Sequence, residues 1–269
     1  MSMRCYSWYL LDIDGVIYRG NILLPGAHRF LRWLEDTGRA YCFLTNNSTA
    51  TPVQLAARLV TLGLPVLPDR IVSAGMAAAH VAGRRHPGGR ALVLGSAALM
   101  TMVAEAGCQI VRETAAALPD VVVVGLDREI SYTRLAAAQR ALLAGADFIA
   151  VNRDPALPVE NGVEPGAGAM VAAVEASANV TPLVIGKPEP AIVQIALEQL
   201  GAHPDDTLLI GDGLTLDIPA GERAGVTTAL LLSGITTAAA AQQAGFPAER
   251  TFANLEMLLA ASLQGCTTP

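Results

Sequence analysis

Four times along the chain a strand-length apolar run stops abruptly at a polar or charged cluster, and this recurrence limits the fold more than any other feature. Residues 6–11 end in Asp12-Ile13-Asp14-Gly15, and residues 40–44 run into Thr45-Asn46-Asn47-Ser48. Residues 183–185 lead to Gly186-Lys187-Pro188, and residues 207–210 lead to Gly211-Asp212-Gly213, with Asp217 close behind. Helical spacing follows the first cluster over 27–36. After the second, Thr51, Pro52 and Gln54 mark a helix start with a capping-box spacing. Strand, polar loop and helix in alternation imply βαβ units on a parallel sheet, whose buried strands read as unbroken apolar runs. Ligands of such sheets bind outside the carboxyl ends of the strands. Parallel strands would therefore gather all four clusters at one edge.

Gly83-Arg84-Arg85-His86-Pro87-Gly88-Gly89 punctuates the pattern as a linker. A second series then follows, with strands over 91–94, 121–124 and 148–151 and helices near 97–106 and 132–144. Residues 152–168 read as loop and 169–177 as helix. After residue 182 the first pattern resumes, with helices over 191–200 and 255–261 and a strand over 228–232. The expected fold class is α/β: a Rossmann-like parallel-sheet core from 1–80 and 182–269, with a large inserted α/β cap domain over 81–181.

Hydrophobic residues make up 52% of the chain, enough for a buried core, while aromatics are only 4%. The net charge of −6 disfavours a nucleic-acid partner, which demands a basic face. It does not disfavour a phosphorylated small molecule, because local cations and a bound metal suffice to attract one. Apolar stretches are too short to span a bilayer, and no basic-then-apolar leader opens the sequence, so a cytoplasmic protein without membrane contact is expected. Cys5, Cys42, Cys108 and Cys266 lack CxxC spacing and read as free thiols of a reducing compartment. The histidines show no zinc-ligand spacing, and neither a Walker A string nor a dinucleotide fingerprint is present.

Two carboxylates two residues apart at a strand end can divide labour. Asp12 can attack phosphorus and form an acyl phosphate, while Asp14 serves as acid to the leaving oxygen and then as base to water. Alone, the Asp-x-Asp-Gly string is equally a turn with solvated acids. A carboxylate and a phosphate dianion repel, so cations are needed: Lys187 as a point charge, and Mg2+, for which Asp212 and Asp217 are candidate carboxylates. Thr45 offers a hydroxyl, and the 45–47 backbone offers amides, to phosphate oxygens, although the same residues also suit an Asx-type turn.

Asp12 to Val16, Leu44 to Ser48, Gly186 to Pro190 and Gly211 to Asp217 together resemble the four motifs of the haloacid dehalogenase-like superfamily. The second Asp of the first motif is similar to that of its phosphatase branch. The long insertion, with residues 148–154 and Pro165-Gly166-Ala167-Gly168, resembles the NagD-like and para-nitrophenyl phosphatase subgroup. The resemblance implies Asp12 as nucleophile and metal ligand, and Asp14 as acid/base with its carbonyl on the metal. It implies Thr45, Asn46 and Lys187 as phosphate-binding groups and Asp212 as a direct metal carboxylate. Asp217 would act through water or by holding the site. Gly213-Leu214-Thr215-Leu216 departs from the arginine- or asparagine-led filler expected between these acids. Asn152, Arg153, Asp154 and Glu160 are the cap residues placed to read a leaving group, and a homodimer through the cap is implied by resemblance alone. The activity expected is hydrolysis of a small phosphorylated metabolite. A phosphotransferase or mutase on the same core, or a non-catalytic metabolite-binding protein, are the alternatives.

Overall fold

Runs of wholly apolar residues form the central strands of two parallel sheets in the computed structural model, which describes residues 3–112, 117–159 and 162–266. The chain divides into two compact units, one of Met1–Thr45, Leu55–Val72 and Lys187–Pro269, the other of Asn46–Gln54 and Ser73–Gly186. The six-stranded sheet runs in the order Thr251–Phe252, Thr227–Leu231, Thr207–Gly211, Trp8–Asp12, Ala40–Thr45, Ile71–Ser73. Its first five strands pair in parallel. Tyr9, Leu10, Leu11, Phe43, Leu209 and Ile210 are fully buried, as sheet strands covered on both faces require. Helix Ala27–Asp36 turns Phe30, Leu31 and Leu34 inward, and Phe30 meets the Tyr9 ring edge-on at 5.9 Å. The core is therefore Rossmann-like α/β, as its sequence pattern predicts.

The second unit carries its own parallel sheet, ordered Leu183–Val184, Asp147–Ala150, Val121–Val124, Arg90–Leu94, Gln109–Val111. Helices Tyr132–Leu143 and Ala167–Ala178 cover it, Ala138, Ala141, Val171 and Val174 joining Val122 and Val124 in one apolar cluster. The capping box forms as its spacing implies. Gln54 Oε1 accepts from Thr51 N at 2.8 Å, and Thr51 Oγ1 accepts from Gln54 N at 3.3 Å.

Three features differ from the sequence reading. The short strand before Lys187 pairs with Asp147–Ala150 and belongs to the second sheet, not to the core sheet. The segment read as loop contains a hairpin, Ala156–Val159 against Gly162–Pro165, and Gln109–Val111 adds an edge strand. Cys5 and Cys266 are not free but disulfide-bonded, with Cα atoms 5.5 Å apart, whereas Cys42 and Cys108 are free and buried. The terminal segments lie together because Met3 N donates to Ala261 O at 3.1 Å, which brings the start of the chain onto its last helix. Closing a loop of 261 residues should stabilise the protein by about 2–4 kcal/mol. Reduction with dithiothreitol should accordingly lower the thermal midpoint by several degrees, and a midpoint indifferent to reduction would remove the bond from the account. Among the described residues no helix is long and apolar enough to cross a membrane.

Candidate active site

Strand register assembles the site. Asp12 is the last residue of its strand and lies opposite Leu44, so Thr45 stands one step beyond it on the neighbouring strand. On the other side Leu11 faces Ile210, so Asp212 emerges just past the level of Asp12. Asp217 opens the short helix Asp217–Arg223 and points back, its Oδ2 accepting from Gly213 N at 2.8 Å. A Cβ on Gly213 would stand 2.8 Å from Asp217 Oδ2, so glycine at the start of the departure at 213–216 leaves room for this carboxylate. Lys187 is buried and bridges two acids, its Nζ donating to Asp12 Oδ1 and to Asp217 Oδ1 at 2.6 Å each.

Asp12, Asp212 and Asp217 are all buried and form, among the described residues, the one group able to hold a metal ion, with one oxygen from each within 4.8 Å of the others. Three carboxyl groups face a single ammonium, so with all three ionised the cluster would be left with two negative charges uncompensated. Its electrostatics show the cost. Burial pushes the Asp12 carboxyl well above its ordinary pKa, Lys187 opposes this, and Asp217 and Asp212 add to it. Asp212 is raised by burial and by Asp217. A hard divalent cation with oxygen ligands fits this deficit of positive charge. Both oxygens of Asp217 are hydrogen-bonded, to Lys187 and to Gly213 N, whereas Asp12 and Asp212 each have one oxygen so engaged, to Lys187 and to Ile235 N.

Asp14 keeps its side chain open to solvent. The protein around its carboxyl still raises the pKa, against the pull of Arg58 and Lys187 and a hydrogen bond with Tyr18. Tyr18, itself buried, is pushed up to about 12 by burial and by Asp14, so its hydroxyl keeps its proton. The Arg58 guanidinium lies over the Tyr18 ring at 4.6 Å. Gly15 has a φ of 82°, and a Cβ there would lie 2.2 Å from Asp212 Oδ2, so only glycine permits this turn against the acid.

Of the residues expected from sequence, Asp12, Lys187, Asp212 and Asp217 come together, with Thr45 buried at the adjoining strand end. Asn46 falls in the other unit, where its Nδ2 donates to Asp154 Oδ2 at 3.0 Å and its carbonyl accepts from Asn152 Nδ2 at 2.8 Å. Asp154 N donates to Asn152 Oδ1, and Arg153 forms a two-pronged ion pair with Glu175 at 2.7 and 2.9 Å. Glu160 lies outside the described residues. Tyr18, Arg58 and the backbone of Ile235, which donates to Asp212 Oδ2 at 2.7 Å, are further groups that sequence reasoning missed. The end of the strand over 228–232 was the available signal, since it is a fifth strand terminus followed by polar residues.

A parallel-sheet core with an inserted α/β unit and a carboxylate cluster beside its strand ends defines a Rossmann-like α/β protein whose candidate site lies where ligands of such sheets bind. Comparison with known proteins agrees. Residues 9–109 match the haloacid dehalogenase-like hydrolase model and residues 184–258 a second model of the same hydrolases. The chain belongs to the haloacid dehalogenase-like superfamily, in the subgroup of NagD and the para-nitrophenyl phosphatases. It is 37% identical to the 5'-nucleotidase YutF of Bacillus subtilis, over 87% of this chain and 90% of that protein. It is 35% identical to an acid sugar phosphatase of Staphylococcus aureus, over 96% and 98%. The structure of a p-nitrophenyl phosphatase from Archaeoglobus fulgidus superimposes with a TM-score of 0.89 at 31% identity, covering 96% of this chain and 99% of that one.

Proposed function

We propose that this protein is a magnesium-dependent phosphatase of small phosphorylated metabolites that works through an aspartyl-phosphate on Asp12. The observation that carries the reading is the Lys187 ammonium, buried between Asp12 and Asp217 beside Asp212. Such an arrangement presents a carboxylate nucleophile while restraining its charge. Relatives named as a nucleotidase and a sugar phosphatase support a phosphorylated small molecule as substrate.

An oxygen of Asp12 attacks phosphorus while the bond to the leaving oxygen breaks, and Asp14 gives that oxygen its proton. Water then attacks the phosphorus of the acyl phosphate and loses a proton to Asp14. Inorganic phosphate departs, and both carboxyl groups return to their starting states. Lys187 offsets the negative charge on Asp12 and on the incoming phosphoryl oxygens, and the Thr45 hydroxyl donates to one of those oxygens. Asp12 and Asp212 would hold Mg2+ with the Asp14 carbonyl, and Asp217 would hold Lys187 and the 213–217 turn. When bound, the ion neutralises phosphoryl charge so that two anions can meet.

Para-nitrophenyl phosphate hydrolysis should require Mg2+, stop in EDTA and return when Mg2+ is restored in excess. Undiminished turnover in EDTA would sink the reading.

A further inference from the structure

The loop after strand Thr227–Leu231 does more for Asp212 than its residue types suggest. Ile235 N donates to Asp212 Oδ2 at 2.7 Å, which fixes the rotation of the carboxylate. Thr236, itself buried, donates from Oγ1 to the Asp212 carbonyl at 2.5 Å and accepts from Leu214 N at 3.2 Å. One hydroxyl therefore ties the backbone on both sides of Gly213. At the other end of the loop, Ser233 Oγ donates to Gly15 O at 2.8 Å, joining the Asp14 turn to the same strap. Arg19 braces it from outside, donating to the carbonyls of Ser233 at 2.5 Å and Gly234 at 3.0 Å. Gly234 lies so close that a Cβ there would stand 1.6 Å from Asp212 Oδ2.

We propose that Thr236 is a positioning residue for the metal-binding carboxylate of Asp212, and that residues 233–236, braced by Arg19, form a strap that sets the geometry of the cation site. The proposal rests on the phosphatase reading only in taking Asp212 as a ligand. These groups bond to Asp212 and to the turns at Leu214 and Gly15, so the effect proposed for them passes through the orientation of Asp212. Groups that orient a ligand typically govern metal affinity by about 10–100-fold.

Mg2+ affinity of the metal-free protein, measured by titration calorimetry alongside the metal-free thermal midpoint, tests this without recourse to turnover. Thr236→Val keeps the shape and removes the hydroxyl, and should weaken Mg2+ binding by about tenfold or more. Thr236→Ser keeps the hydroxyl and should bind within about twofold of wild type. Equal affinity in Thr236→Val and wild type, or equal loss in the Val and Ser variants, overturns the proposal. Should Thr236→Val fail to fold, the exposed Arg19→Met decides: weakening of about threefold supports the strap, and an unchanged affinity removes it. A wild type that binds no Mg2+ overturns the phosphatase reading and this proposal together, an outcome distinct from any difference between variants.

Discussion

Asp12→Asn should leave a folded protein whose turnover of para-nitrophenyl phosphate falls by about 10^4-fold or more, because an amide cannot form the acyl phosphate. Acid-quenched protein exposed to labelled substrate should carry label in the wild type and none in the variant. The same substitution should raise stability when no metal is bound. Burial holds the Asp12 carboxyl well above its ordinary pKa of 3.8, with Asp217 and Asp212 adding to the effect and Lys187 opposing it. A carboxyl raised by folding contributes stability at pH values below its unfolded pKa, and loses it as pH climbs through the interval up to the folded pKa. Asparagine resembles the protonated acid and carries no such loss, while Lys187 keeps Asp217 as its partner. In EDTA at pH 7 the variant should therefore melt above the wild type, and the gap should close toward pH 4. A variant that melts lower at pH 7 would show that the buried ammonium needs Asp12 more than the cluster suffers from it.

Why Asp12 and its partners were legible in the sequence, while residues 233–236 were not, follows from how each meets the cluster. Asp12, Lys187 and Asp212 join the cluster through ionisable side chains, which stand out against the apolar runs they follow. Ile235 acts through its backbone N–H, while its side chain is 69% exposed and carries no mark of function. Thr236 is one of several ordinary threonines until its two bonds are seen. The fold follows the same division. Val121–Val124, buried on every side, declared itself by composition. Gln109–Val111 and Leu183–Val184 are two or three residues long and partly exposed, so their strand character comes from neighbours the sequence does not name. Assigning Leu183–Val184 to the core sheet was an error of adjacency, since it stands just before a core residue yet pairs with Asp147–Ala150. The pairing of Cys5 with Cys266 was invisible for a related reason: the two are 261 residues apart, and only packing of the chain's two ends unites them.

Lys187→Met should do the opposite of Asp12→Asn to stability while sharing its effect on activity. Burial alone would pull the Lys187 ammonium down, but Asp12 and Asp217 outweigh it and hold its pKa above the ordinary lysine value, so it stays charged throughout the working pH range. Methionine matches the length of the side chain and opens no large cavity, yet it leaves Asp12 and Asp217 without their shared cation. Removing one member of a buried ion pair costs about 3–5 kcal/mol, chiefly through the charge left unpaired. In EDTA the variant should thus melt well below wild type at pH 7 and recover part of the difference on acidification, as protons replace the missing ammonium. Saturating Mg2+ should also restore part of it, because a divalent ion at Asp12 and Asp212 relieves the same repulsion from the other side. Turnover should still fall by about 10^2–10^3-fold even with Mg2+ present, since the ammonium would stabilise phosphoryl charge that the metal does not reach. If Lys187→Met and wild type melt together in EDTA at pH 7, the lysine is not what balances these acids, and the opposite shift expected for Asp12→Asn loses its electrostatic basis as well.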